Sequence, residues 1–274
     1  MGFNKTIMAN SNAAPSNIPG VKAVALPSNP TLEGCEVISR SDGKSHQCSI
    51  NVLNINDIDA VLNVQDETVR HIKDSSIYYP DTREVFESSL SNDGLIIGCH
   101  VNSRLVGFRS IWFPRARPEN LGLDIGMQDP SQLSQVAHLE RACVIPEFTG
   151  NRLQMRMTRH AINLARQDNS FRYLFSTVAP MNYASMQDKF SADMLILKLV
   201  KKYEDYYRYI FFQNVMKPIQ VNLENPSSII FANGDDIDTQ VNLLQKNKLM
   251  AGCLQQRNKD VMQVGYTKIE CTLF

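Results

Sequence analysis

The sequence predicts an α+β protein: a mixed, mostly antiparallel central sheet flanked by helices, followed by a small C-terminal β-α-β-β appendage. Three observations predict it. Two apolar runs, G-L-I-I-G-C-H-V (94–101) and L-V-G-F-R-S-I-W-F-P (105–114), are joined by a tight turn and read as an antiparallel pair. A third run, V-A-H-L-E-R-A-C-V-I-P (136–146), passes through one glycine-containing loop into a helical pattern. Strand-like and helical stretches then alternate to residue 213, and after Pro218 the pattern restarts.

Taken in order, residues 1–31 are rich in Asn, Ser, Pro and Ala without a period, which marks an extended N-terminal arm. The runs 35–40 and 45–52 flank S-D-G-K and form a hairpin. In 55–69, Asp57 can cap a helix whose apolar stripe is Ile58, Val61, Leu62, Val64 and Val69; a second short helix covers Thr82 to Leu90. Residues 115–133 hold Pro, Gly, Asn and Asp and form an inserted loop with room for a short helix, and loops of this length are often functional. After the strand at 136–146, a helix runs from about Asn151 to Gln167, with Leu153, Met157, Ala161, Leu164 and Ala165 at helical spacing. A β-prone run (171–180), a helix started near Asn182 (182–190) and an aromatic strand (206–213) follow. The appendage (218–274) comprises a strand at 229–233, a helix from Asp235 to Lys248 and a hairpin of 251–257 with 261–269. The main domain is therefore 32–217.

Composition narrows the function classes. Twenty-eight basic and 28 acidic residues balance, so no strongly basic face for nucleic acid is expected. No apolar run approaches the roughly 20 residues of a membrane helix, and no secretory signal is present. Six widely spaced cysteines, several in apolar runs, suit buried reduced thiols in a cytoplasmic protein. Cys35, His46 and Cys48 match no zinc template, so no metal is expected.

The chemistry concentrates in the strand, loop and helix of 136–167. A strand ends, the chain turns at Gly150, and the unpaired N–H groups of a helix N-terminus follow, a geometry suited to phosphate. The segment A-C-V-I-P-E-F-T-G-N-R-L-Q (142–154) resembles the acetyl-CoA segment of the GNAT superfamily of N-acetyltransferases, V-x-P-x-[YF]-R-G-x-G-[LI]-[GQ]. V-A-P-M-N-Y-A-S (178–185) resembles that family's next segment, in which Asn and a small residue open a helix beside the coenzyme. The order of elements upstream and the closing strand Y-Y-R-Y-I-F-F-Q (206–213) fit as well, and the resemblance covers about 45–215. The departures are Thr149, Arg152 and Gln154, which stand where the family signature has Arg or Gln, Gly, and Gly or Ala.

The resemblance implies an N-acyltransferase that moves an acetyl or longer acyl group from CoA to a primary amine of a small molecule or peptide. The amine attacks the thioester directly, so Cys143 is read as a small buried hydrophobe. Acetyl-CoA or another acyl-CoA would be held by the backbone of Ala142, Cys143 and Val144, by the loop Thr149, Gly150, Asn151, Arg152, Leu153 and Gln154, and by Asn182 and Ser185. Attack needs a neutral amine and hence a general base. Glu140 is the first candidate and His138 the second, two apart on one strand and expected on the same face as Ala142. The family's Tyr beside the leaving thiolate would fall near Lys189 and Phe190, where no Tyr stands, and the acid is left unassigned. Two alternatives stand beside this reading. One is a relative of the acyl-homoserine-lactone synthases, suggested by L-E-R-A-C-V, with a carrier-protein donor. The other is a CoA-sensing or protein-binding module that has lost catalysis. The acceptor's identity is not legible, and a homodimer is left open.

Overall fold

The computed structural model describes residues 31–72, 80–203, 205–219, 228–246, 249–258 and 261–268. The arm expected at 1–31 lies outside these but for its last residue. The first hairpin is β1 (Thr31–Ile38) and β2 (Ser45–Val52). Helices α1 (Ile58–Arg70) and α2 (Arg83–Ser88) follow, then the hairpin β3 (Gly94–Val101) and β4 (Arg104–Trp112). The inserted loop folds two short helices, α3 (Leu121–Asp124) and α4 (Pro130–Leu133). Next come β5 (Val136–Val144), α5 (Leu153–Asp168), β6 (Tyr173–Val178) and α6 (Tyr183–Ser191). Strand β7 (Leu195–Lys202) was not expected from the sequence; it pairs with β8 (Tyr206–Asn214). The chain closes with β9 (Ile230–Asn233), α7 (Ile237–Val241), β10 (Met250–Asn258) and β11 (Val261–Thr267).

All eleven strands lie in one sheet, ordered β1-β2-β3-β4-β5-β6-β8-β7-β10-β11-β9. Every pairing among the described residues is antiparallel except β5 with β6. The C-terminal strands join at the edge of β7, where Ala251 pairs with Ile196. Strand β4 is buried from Leu105 to Ile111, which requires cover on both faces. Phe108 meets Phe86 of α2 edge-on, with ring centroids 5.4 Å apart, while the next residue, Arg109, reaches Asp188 of α6 on the other side. One face of the central sheet thus carries α1 and α2, and the other α5 and α6. Among the described residues no helix is long and apolar enough to cross a membrane.

The expectation of six reduced thiols is corrected. Cys35 stands directly opposite Cys48 across the first hairpin, with Cα atoms 4.9 Å apart, and the two are joined by a disulfide. The alternation that buries both on one face also makes them cross-strand partners within bonding reach. Cys99, Cys143 and Cys253 remain thiols; Cys271 lies outside the described residues.

Candidate active site

The site begins where two strands separate. β5 and β6 pair only over Val136–His138 and Tyr173–Phe175. Beyond that, β6 stays with β8 as far as Val178 while β5 stays with β4, so a wedge opens between them. The Ser176 hydroxyl donates to the Leu139 carbonyl at 2.9 Å and bridges its apex. The Ile145 N–H goes to the Val106 carbonyl at 2.9 Å. Backbone groups alternate sides along a strand, so Ala142 and Val144 turn their N–H and C=O away from β4 into the wedge. Cys143 turns its own toward β4. Of the three backbone positions expected to hold a ligand arm, two therefore face the opening.

A β-bulge sets the candidate base. Arg109 pairs with Ala142 and Ile111 with Leu139, so two residues, Glu140 and Arg141, oppose the single Ser110. The Ser110 hydroxyl accepts the displaced Arg141 N–H at 3.1 Å. The extra residue breaks strict alternation. Glu140 and His138 do share a face, but Ala142 falls on the other, with Arg109; the expectation that all three share one face is corrected. Arg141 reaches Asp81, just before α2, at 3.0 Å. Glu140 and Arg141 therefore point to the α1/α2 side.

His138 is buried and anchored. Its Nε2 accepts the Leu121 N–H at 3.1 Å, its ring meets Trp112 edge-on, and its Nδ1 lies 3.5 Å from the Glu140 carboxylate. With Nε2 used as an acceptor, the proton sits on Nδ1 and points at Glu140. Through Leu121 the inserted loop is tied to the candidate base. Glu140 keeps 40% of its side chain accessible. Desolvation pushes its carboxyl up, but the hydrogen bond from His138, with the charges of Arg141 and Lys189, outweighs this and holds it below the ordinary value.

The loop to α5 is a distinct piece of geometry. Gly150 has φ +89° and Arg152 has φ +56°, the left-handed region that glycine enters without penalty. Arg152 thus keeps the backbone a glycine would give and adds a guanidinium. It occupies the N-cap of α5 and makes no side-chain cap, so the first N–H groups of Leu153 and Gln154 are not consumed by one. Two loop side chains serve as fasteners. Asn151 accepts the Ile38 N–H at 2.8 Å and donates to the Ile38 carbonyl at 2.8 Å. Thr149 donates to the Pro146 carbonyl and accepts from Arg40. Beside the loop lies a cavity of about 460 Å³ lined by Arg152, Arg156, Arg159, His160 and Glu33 among others. Glu33 engages His160 at 2.6 Å and Arg156 at 3.5 Å, while among the described residues Arg152 and Arg159 have no ion pair. The cavity is therefore cationic. Asn182 caps α6, its side-chain oxygen accepting the Ser185 N–H at 3.2 Å.

The structure adds a group that the reading of the sequence left without a role. Lys189 of α6 is 4% exposed, with its ammonium 2.9 Å from Asp188. Asp188 also receives Arg109 at 2.6 Å. Burial, then repulsion from Arg109, pull the Lys189 pKa down to about 8 against the attraction of Asp188. Asp188 goes the other way: burial would raise it, but Arg109 and Lys189 hold it down to about 2. Lys189 and Glu140 feel each other's charge although they belong to opposite layers. In the sequence Lys189 stands in M-Q-D-K-F-S, among polar neighbours that give no sign of burial.

No protein-family model and no curated protein matches the chain. Among solved structures it is similar to an N-acetyltransferase from Staphylococcus aureus (17% identity, 62% of this chain and 99% of that one, TM-score 0.46). It is also similar to the ribosomal-protein-S18-alanine N-acetyltransferase from Escherichia coli (14%, 62% and 95%, TM-score 0.44). A third is a putative acetyltransferase from Salmonella typhimurium solved with acetyl-CoA (13%, 62% and 97%, TM-score 0.46). At these identities and scores the likeness is one of outline.

Proposed function

We propose that this chain is an N-acyltransferase that moves an acetyl or longer acyl group from CoA to a primary amine of a small molecule or peptide. The observation that carries the proposal is the wedge. β5 leaves β6 with two residues' backbone groups unpaired toward the gap, and the same strand leads straight into an uncapped helix N-terminus beside a cationic cavity. The residues present fit an acyl-CoA. Ala142 and Val144 would hydrogen-bond the amide-bearing arm as a neighbouring strand does. The loop Gly150–Gln154 and Arg152 would receive the phosphates.

The coenzyme supplies the thioester; the protein orients the amine and moves protons. Glu140, ionised at neutral pH and partly open to solvent, takes the proton of the attacking amine, directly or through water. His138 holds that carboxylate in place. As the new C–N bond forms and the C–S bond breaks, Lys189 of α6 donates a proton to the departing thiolate, and its pKa near 8 keeps it charged yet able to give that proton up at neutral pH. Calorimetric titration with acetyl-CoA, CoA and a longer acyl-CoA tests the binding half, and thiol release over a panel of amines tests the transfer half. Failure of all three to bind would overturn the proposal. Binding of CoA with no turnover on any amine would move the chain to the reading as a CoA-sensing module.

A further inference from the structure

Three of the six cysteines converge beneath α5, away from the wedge. Cys35 of β1 is opposite Cys48 of β2, and Cys99 of β3 is opposite Ile50, one step further along the same face of β2. All three are buried, at 8%, 5% and 0% exposure, and their sulfurs lie within 4.8 Å of one another. Three sulfurs around one ion in a trigonal plane, each at about 2.3 Å, would stand about 4.0 Å apart, inside that limit. A cavity lies close by, lined by Glu33 two residues before Cys35 on β1. The outside charges that reach Cys99 are those of Arg156 and Glu33, and both line the 460 Å³ cavity on the flank of α5.

We propose that, once the Cys35–Cys48 bond is reduced, Cys35, Cys48 and Cys99 form a three-thiolate site for a single soft metal ion of the copper(I) class. Thiolates select soft ions, and among the described residues no fourth His, Cys or carboxylate joins the group, which disfavours zinc with its habitual four ligands. The steps balance. A dithiol reductant delivers two electrons and two protons to the disulfide and becomes a disulfide itself. The ion then displaces three thiol protons to solvent and forms three metal–sulfur bonds with no change in its oxidation state. Disulfide and metal exclude each other, so occupancy follows the redox state of the pair. The site is independent of acyl transfer.

The experiment uses the full chain, reduced and freed of reductant under anaerobic conditions. Copper(I) is titrated in competition with a chromophoric copper(I) chelator, and X-ray absorption then counts the sulfurs around the bound ion. One ion per chain with a shell of three sulfurs is expected, with none bound by the oxidised protein. Cys99→Ser should lose the third sulfur from the shell, while replacing Cys253 and Cys271 by Ser should change nothing. Failure of the reduced wild type to take copper(I) from the chelator overturns the site, as does a two-sulfur shell or a Cys99→Ser protein that binds equally well. The wild-type arm decides the matter even where a variant folds poorly.

Discussion

Replacing Lys189 by Met should make the protein more stable and less active. The side chain is 4% exposed, and its pKa falls from 10.5 to about 8 because burial and Arg109 disfavour the charged form more than Asp188 favours it. Each tenfold change in proton affinity is worth about 1.4 kcal/mol. The charged lysine therefore costs the folded state roughly 3 kcal/mol at pH 7, an upper figure because its bond to Asp188 is lost with it. Below pH 8 the group is charged both folded and unfolded, and the whole cost is present. Between about 8 and 10.5 the unfolded chain binds more protons than the folded one, so stability rises with pH. Above that range the lysine is neutral in both states and the cost is gone. Met fills a similar volume without charge, and Asp188 keeps Arg109 at 2.6 Å. Urea unfolding of wild type and Lys189→Met at pH 7 and pH 10 measures the effect. The variant should gain about 1–3 kcal/mol at pH 7, with the gap closing toward pH 10, while amine acylation falls by about 10²-fold or more. A variant destabilised at pH 7, or an advantage that persists undiminished at pH 10, would refute the account of a lysine held charged against its surroundings.

The remaining expectations rest on separate features. Glu140→Gln should cut turnover by about 10²–10⁴-fold with little change in acetyl-CoA affinity, because Glu140 receives the proton and does not hold the coenzyme; an unchanged rate would remove it as the base. Asp188→Asn should destabilise by about 3–5 kcal/mol in denaturant unfolding at pH 7, since it leaves the buried Arg109 and Lys189 without the carboxylate they share. Asp188 is depressed to about 2, so its ion pairs stabilise above the ordinary carboxylate value and lose that contribution as pH falls through about 2. The loss of stability on acidification should therefore be shallower in Asp188→Asn than in wild type. At Gly150 a Cβ would meet nothing within 4 Å, so the requirement is φ +89° alone. Gly150→Val should weaken coenzyme binding through the strained turn, by about 1–3 kcal/mol in calorimetry, and Gly150→Ala should weaken it less.

The strand-and-helix order from β2 to α6 is legible because each piece has its own period and its own turn. Apolar alternation marks β3 and β4, Asn182 marks the start of α6, and Gly150 marks the loop before α5. Strand β7 escaped because M-L-I-L-K-L-V-K-K follows a helix without a glycine or proline break, and a short apolar run of that kind fits a helix and a strand equally. The site was legible in its residues and not in its arrangement. Alternation along β5 put His138, Glu140 and Ala142 on one face, and that inference is sound for any regular strand. The bulge opposite Ser110 defeats it, and nothing in L-E-R-A-C announces a bulge, because its cause is the register with β4, thirty residues earlier. The same holds for Lys189. Its pKa is set first by burial and then by Arg109, Asp188 and Glu140, which come from three different elements, so no local pattern could have singled it out. The two groups proposed as proton acceptor and donor, a carboxylate displaced by a bulge and an ammonium buried by a helix, are both products of strand register and layer packing. The chemistry of this site is therefore specified by which elements meet, and substitutions at Ser110 or Arg109, which touch no substrate in this account, should disturb it as surely as those at Glu140.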